Sequence, residues 1–215
     1  MSSVFSIERF EQRPLVGILR NVHADQIDPI VEACLEGGLT NLEVTMNSEG
    51  ATDQIRTIVE RAGNKLNVGA GTVTSPHRLE QAIAAGASFV VTPAVIPDVI
   101  GRCRELKLPV IPGAFTPTEI WQAWDAGALM VKLFPADLGG PNYVKSLRGP
   151  FPEIRLLATG GITLDSIEGF MNAGVEGFGL GGPLFRKERI ESGDWGWLTQ
   201  QIREYGKAFE AHRNH

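Results

Sequence analysis

Two charged residues sit where charge is costly. Lys132 lies inside the apolar run Leu129-Met-Val-Lys-Leu-Phe-Pro135, and Glu43 inside Asn41-Leu-Glu-Val-Thr-Met46. Runs of this length bounded by Gly or Pro read as buried strands. Burying an unpaired ammonium or carboxylate there is expensive. Of the six lysines, Lys132 alone falls within a strand run. Two readings follow. In one, Lys132 snorkels to the surface, or the two residues form a plain buried ion pair. In the other, Lys132 is a desolvated amine with a lowered pKa that attacks a carbonyl, and Glu43 is its proton shuttle. The elements that carry them must decide.

Strand and helix signals alternate along the chain. Residues 6–12 read as a short leading helix capped by Ser6. Strands are expected at 14–19 (ending at Arg20), 42–46, 66–69, 88–93, 110–111, 129–134, 155–158 and 175–180. Helices are expected between them at 25–35, 52–62, 76–85, 98–106, 116–125, 141–147 and 164–172, with a closing helix at 195–211. Gly37-Gly38 stops the first of these. Ser75 precedes Pro76 as a cap, Glu119 completes a capping box with Thr116, and Thr163 caps the helix at 164. Eight βα alternations, with no long linker or shift of composition, predict an α/β protein. The expected architecture is a single (β/α)8 TIM barrel over residues 1–215 with a short N-terminal helix. A recurring phrase supports it. Ala85-Gly-Ala-Ser-Phe-Val-Val, Asp125-Ala-Gly-Ala-Leu-Met-Val and Asn172-Ala-Gly-Val-Glu-Gly-Phe each join a helix end, a Gly stop and a strand start. An open doubly wound sheet, the competing architecture, ordinarily has fewer strands.

Composition excludes several classes. Acidic residues outnumber basic ones by 25 to 20, with no basic stripe or tail for nucleic acid. No apolar run approaches the roughly 20 residues of a membrane span. The N-terminus lacks the basic start and apolar stretch of a signal peptide. Cys34 and Cys103 form no CxxC and read as reduced thiols of a cytoplasmic protein. The four histidines form neither HxH nor HExxH, so no metal site is expected.

In such a barrel the active site lies at the C-terminal strand ends. The polar residues there are Arg20, Glu43 with Thr45, Thr72, Thr92, Lys132 and Thr159. Arg20 is a candidate for a second cation that lowers the pKa of Lys132. Gly69-Ala-Gly-Thr72 is a tight turn that places a hydroxyl at the mouth. Pro93 and Pro135 either break their strands or stiffen the pocket wall. Thr159-Gly160-Gly161-Ile and Gly179-Leu-Gly181-Gly182-Pro183 follow the last two strands, where barrels often hold a phosphate on backbone N–H groups. Their simpler role is as tight-turn glycines. A lysine amine, a carboxylate and a phosphate site together point to Schiff-base chemistry on a phosphorylated carbonyl compound. The iminium would be the electron sink for breaking a C–C bond, and no cofactor is required.

These residues carry a resemblance. Leu42-Glu-Val-Thr, Gly69-Ala-Gly-Thr-Val, Val91-Thr-Pro, Ile111-Pro-Gly, Val131-Lys-Leu-Phe-Pro-Ala and Thr159-Gly-Gly-Ile occur in the order found in the 2-keto-3-deoxy-6-phosphogluconate (KDPG) and 2-keto-4-hydroxyglutarate aldolases. The chain resembles that family over nearly its whole length. The resemblance implies a class I lyase that releases pyruvate and, from the phosphosugar acid, glyceraldehyde 3-phosphate. 4-Hydroxy-2-oxoglutarate would instead give pyruvate and glyoxylate. It maps the Schiff-base lysine onto Lys132 and the acid/base onto Glu43. Pocket contacts map onto Thr72, Pro93 and Phe134, and phosphate contacts onto Gly160, Gly161, Gly181 and Gly182. It also implies a homotrimer.

The chain departs from the phosphogluconate pattern in places. Asn47 stands where an Arg is usual, while Ile18-Leu-Arg20 and Met46-Asn-Ser48 resemble the 2-keto-3-deoxy-6-phosphogalactonate branch. In that branch the Arg ending the first strand holds the pyruvyl carboxylate. Thr159, which would contact the substrate C4 hydroxyl, resembles the phosphogluconate type. Pro183 replaces a serine that often helps hold the phosphate. Two further readings stay open. One is a phosphosugar isomerase or synthase barrel, with Glu43 as base and Lys132 as a clamp. The other is a non-catalytic phosphometabolite-binding barrel.

Overall fold

The computed structural model describes residues 4–213. Nine parallel β segments alternate with helices: β1 (Leu15–Leu19), β2 (Asn41–Thr45), β3 (Asn67–Gly71), β4 (Phe89–Val91), β5 (Val110–Ile111), β6 (Gly113–Ala114), β7 (Val131–Leu133), β8 (Leu156–Thr159) and β9 (Gly177–Leu180). Their order is β5-β4-β3-β2-β1-β9-β8-β7-β6. The two outermost segments, β5 and β6, are separated by Pro112 alone, so they are halves of one strand and the sheet is a ring. The fifth strand, expected at 110–111 only, is therefore longer and split. Proline has no N–H to donate to a ladder. Its carbonyl accepts from the Lys132 N–H at 2.8 Å, while the Gly113 N–H donates back to Thr92 O at 2.9 Å. One short strand thus pairs with β4 on one side and β7 on the other. The expected eight-stranded barrel is the observed fold.

The helices are α1 (Ile7–Gln12), α2 (Ile27–Gly37), α3 (Ala51–Ala62), α4 (Pro76–Ala84), α5 (Pro97–Glu105), α6 (Pro117–Asp125), α7 (Ala136–Arg148), α8 (Leu164–Asn172), α9 (Lys187–Glu191) and α10 (Trp195–Arg213). The recurring phrase is the helix stop: Gly86, Gly127 and Gly174 have φ of 96°, 98° and 103°, the left-handed conformation that ends a helix at little cost to glycine. α7 begins five residues earlier than expected. Gly140, at φ 64° and ψ −175°, breaks it, and Pro141 starts its second part. α9 and a 3-10 turn at Ala24–Gln26 were not expected, being too short for a periodic signal.

Alternate residues of each strand point inward. Val16, Phe89, Val91, Ile111, Met130 and Leu157 fill the barrel with Phe10 of α1, and Leu42, Val44, Val68, Leu133, Phe178 and Leu180 face the helices. α1 plugs the bottom. The wholly buried Asn67 accepts from the Ser6 N–H at 2.9 Å and donates to Asn41 Oδ1 at 2.9 Å. Asn41 in turn donates to Leu15 O at 3.2 Å. Arg155 donates to Glu11 of α1 through both terminal nitrogens, at 2.6 and 2.9 Å. With that end sealed, the C-terminal strand ends are where the interior opens.

Interior glycines make room for large neighbours. A Cβ on Gly69 would lie 2.4 Å from the Phe89 ring, and a wholly buried ring has nowhere to go. Gly69→Ala is expected to cost about 1–3 kcal/mol by overpacking, read as a lower urea midpoint, with Phe89→Leu restoring part of it. An unchanged midpoint in the single variant would contradict this packing.

Candidate active site

Lys132 projects inward from the middle of β7, with Gly113 of β6 and Leu157 of β8 beside it. It is 8% exposed, and Glu43 on β2 is 1% exposed. Both line one cavity of about 10 Å³, walled by Ile18, Val91, Ile111, Leu157 and Thr159, room for about one water. No salt bridge joins them: Glu43 Oε2 is buried without a hydrogen-bond partner, and Lys132 Nζ lies 5.0 Å from the Phe134 ring centroid. The closed ion pair of the plainer reading is thus absent, and so is the snorkelling lysine.

Burial is the largest influence on both groups. It pushes Lys132 down from 10.5, with Glu43 opposing and Arg20 assisting. It pushes Glu43 up from 4.5, against the pull of Lys132 and Arg20. A desolvated pair without contact is driven toward its uncharged forms, an amine and a carboxylic acid. An uncharged amine can add to a ketone carbon, and a nearby acid can protonate the oxygen that must leave.

Arg20 follows β1 directly. Its side chain is exposed, yet its charge reaches both buried groups. It also lines a cleft of about 850 Å³, whose walls include His23, Asp53, Phe185 and Lys187. That cleft is far larger than the barrel cavity but contains neither Lys132 nor Glu43. The small cavity, where the desolvated groups are, is the candidate site of chemistry.

The remaining expected residues divide. Thr159 points into the cavity, its buried Oγ1 without a partner. Thr72, half-buried, follows β3 at φ 54°, a left-handed conformation that costs a threonine about 1–3 kcal/mol. Phe134 is 38% exposed at the mouth, and Pro93 lies so near strand five that a Cβ on Gly113 would meet its carbonyl oxygen at 2.4 Å. Thr92 does not join them: it is wholly buried and its hydroxyl donates to Ala94 O at 2.6 Å. Thr45 has its hydroxyl engaged by Ser48 at 2.8 Å.

Gly160 and Gly161, at φ 95° and 66°, follow β8, and Gly181 and Gly182 follow its neighbour β9. None of the four donates its N–H within the described residues. Gly161 packs on Asp137, which a Cβ would strike at 2.3 Å, so an anion would meet these N–H groups from the side away from that carboxylate. Sequence reading took Gly71 for part of a tight turn and passed over the role of Gly179. A Cβ on Gly71 would lie 2.3 Å from Glu43 Oε1, and one on Gly179 2.3 Å from Thr159 Oγ1. The signal was the period of two in Gly69/Gly71 and Gly177/Gly179, which puts all four on the inward face.

Elsewhere, Cys34 and Cys103 are buried and free. Burial pushes the Cys103 thiol up to about 12 and Cys34 higher still, so neither offers a thiolate at neutral pH. Among the described residues no cluster of three or more His, Cys, Asp or Glu is placed to hold a metal, and no helix is long and apolar enough to cross a membrane.

A closed parallel barrel with a desolvated lysine and carboxyl at its C-terminal end defines a barrel enzyme. Its family follows from comparison. Residues 7–201 match the profile described as "Aldolase: KDPG and KHG aldolase", and the chain belongs to that family; it is an aldolase, a carbon–carbon lyase. It is 36% identical to the 2-dehydro-3-deoxy-phosphogluconate aldolase of Pseudomonas aeruginosa, over 95% of this chain and 93% of that one. It is also 36% identical to the 2-dehydro-3-deoxy-6-phosphogalactonate aldolase of Escherichia coli (strain K12), over 80% and 85%. A solved KDPG aldolase from Legionella pneumophila, with pyruvate captured as a covalent carbinolamine intermediate, superposes with a TM-score of 0.85 at 26% identity, covering 92% and 96%. The isomerase or synthase and non-catalytic readings are not favoured.

The lysine's contribution to stability has a definite sign. With a folded pKa below 10.5, its charged form penalises the fold fully below that folded value, and the penalty disappears as pH rises through 10.5. In a Glu43→Gln background, which removes the coupled carboxyl, Lys132→Met is expected to stabilise at pH 7. The gap should close as pH climbs toward 10.5. Denaturant midpoints measured across pH 7–10.5 check this; a gap that stays constant or widens would contradict it.

Proposed function

We propose that this chain is a class I aldolase that cleaves a 2-keto-3-deoxy-6-phospho sugar acid to pyruvate and glyceraldehyde 3-phosphate. The same site would take 4-hydroxy-2-oxoglutarate to pyruvate and glyoxylate. The observation that carries the proposal is an in-strand lysine sharing one small buried cavity with a carboxyl whose Oε2 has no partner. Support also comes from relatives named for phosphogluconate and phosphogalactonate, and from the relative that holds pyruvate as a carbinolamine.

The chemistry proceeds from the depressed pKa. The uncharged Nζ of Lys132 adds to the C2 ketone, giving a carbinolamine. Glu43, as the acid, protonates the departing hydroxyl; water leaves and an iminium forms. The resulting carboxylate takes the proton of the C4 hydroxyl. The C3–C4 bond breaks, its electron pair flows into the iminium to give an enamine, and C4 departs as the aldehyde. Protonation at C3 and hydrolysis of the iminium release pyruvate and restore the amine. The site is desolvated before substrate arrives, so little reorganisation is needed when charge develops.

In this reading Arg20 holds the pyruvyl carboxylate. Thr72, Pro93 and Phe134 wall the pyruvyl half, and Thr159 meets the C4 hydroxyl. The N–H groups of Gly160, Gly161, Gly181 and Gly182 hold the phosphate. Pro183 offers neither hydroxyl nor N–H, so the backbone of those four glycines carries the anion. Arg20 and Met46-Asn-Ser48 favour the galactonate configuration and Thr159 the gluconate one, so both epimers are proposed substrates. The working enzyme is proposed to be a single-domain, cytoplasmic homotrimer that needs no metal or cofactor.

Incubation with pyruvate and borohydride should leave a pyruvate-derived adduct on Lys132, and Lys132→Ala should abolish cleavage while keeping the fold. Glu43→Gln should lose about 10²–10⁴-fold in kcat. An adduct at another residue, or turnover retained by Lys132→Ala, would refute the assignment. Thr159→Val should shift the rate ratio between the two phosphosugar epimers toward the galactonate; an unmoved ratio would remove Thr159 from stereochemical selection.

A further inference from the structure

We propose that Ser48 is a positioning residue: its hydroxyl latches the loop after β1 to the loop after β2 and thereby fixes Arg20 at the end of β1, two residues past Ile18 of the Lys132–Glu43 cavity. The proposal rests on the reading of Arg20 as the carboxylate ligand. It extends that reading to a residue that would touch neither substrate nor reacting atoms.

Arg20 presents a problem of placement. It sits just beyond β1 on an exposed stretch, with the cleft of about 850 Å³ open beside it. An arginine binds a carboxylate well only when its planar fork is held in register. The loop is held at the next two residues. Asn21 takes a left-handed conformation, φ 53°, which asparagine adopts more readily than most non-glycine residues. Its N–H donates to Ser48 Oγ at 3.0 Å. Ser48 Oγ lies 2.8 Å from Thr45 Oγ1. Thr45 is wholly buried on β2, two residues beyond Glu43 and on the same inward face. The Ser48 N–H returns to Thr45 O at 2.9 Å. One residue further, Val22 O accepts from Gln54 Nε2 at 2.8 Å, and Gln54 also holds Glu49 O at 3.2 Å. Both latching side chains are buried, Ser48 at 8% exposure and Gln54 at 5%.

The connection therefore runs from Glu43 through Thr45 and Ser48 to Asn21 and Arg20, joining the β2 carboxyl to the β1 cation. Deleting the Ser48 hydroxyl leaves the Asn21 N–H and the Thr45 hydroxyl without a partner. It also removes the hydrogen bond that ties the Asn21 backbone to the β2 loop. Arg20, exposed and bordering the large cleft, is then no longer fixed relative to Glu43. The network gives Ser48 a purpose: the β2 loop supplies the hydroxyl that fixes the chain beside an arginine on β1.

The test is the pyruvate concentration giving half-maximal borohydride adduct on Lys132, together with KM and kcat for cleavage. Ser48→Ala is expected to raise half-saturation and KM by about 10-fold while kcat changes by less than about 3-fold. Ser48→Thr, which keeps a hydroxyl, should stay within about 3-fold of wild type. In an Arg20→Ala background, which itself raises half-saturation, Ser48→Ala should add nothing. If Ser48→Ala does not fold, Ser48→Cys replaces it, because sulfur is a weak acceptor. Unchanged half-saturation in the Ser48 variants, with Arg20→Ala impaired, would overturn the latch alone. Unchanged half-saturation in Arg20→Ala would overturn the role of Arg20 and the latch with it. No adduct on Lys132 in the wild type would overturn the aldolase chemistry itself.

Discussion

The structure depends on taking one lysine and one carboxyl out of water without letting them touch. Had Lys132 and Glu43 met, their mutual attraction would have favoured the charged form of each. Apart, each is pushed toward its uncharged form, which is the form carbonyl chemistry uses at neutral pH. Such a pair is a drain on stability. It is tolerated because strands on every side hold it, and because the barrel's lower half is an ordinary apolar core sealed by α1.

Two backbone features make that separation feasible. Glycines on the inward faces of β3 and β9 leave space that the Glu43 carboxylate and the Thr159 hydroxyl occupy; an alanine at either place would displace the polar group. Pro112 splits the fifth strand so that the ring closes across it, and its carbonyl is the one that anchors the Lys132 backbone. The position of the amine and the closure of the barrel are thus set by the same short stretch.

Much of this was legible in the sequence, and the failures are informative. Lys132 and Glu43 stood out because a charge inside a short apolar strand has few explanations. The helix stops at Gly86, Gly127 and Gly174 were readable because left-handed termination selects glycine. Strand five was read as half its length because proline ordinarily ends strands; nothing local says that the chain resumes pairing on the other edge. The start of α7 was missed because Gly139-Gly140-Pro141 imitates a helix beginning. Thr92 looked like a mouth residue by its place at a strand end, but whether a hydroxyl is spent on a local carbonyl is decided by the turn after it. Ser48 stood out only as part of Met46-Asn-Ser48, with nothing to say what its hydroxyl does. Its role comes from facing Asn21 across two loops, and 27 residues of chain separate them.

The central claim is that Lys132 is a desolvated amine and not an ordinary surface ammonium. The six lysines of the chain provide internal controls. Titrating the lysine side chains by carbon-13 NMR at Cε, with Lys132→Met to assign the resonance, measures the property itself. The account predicts one lysine titrating well below 10.5, and its signal missing from the variant. A Lys132 that titrates with the other five would contradict it.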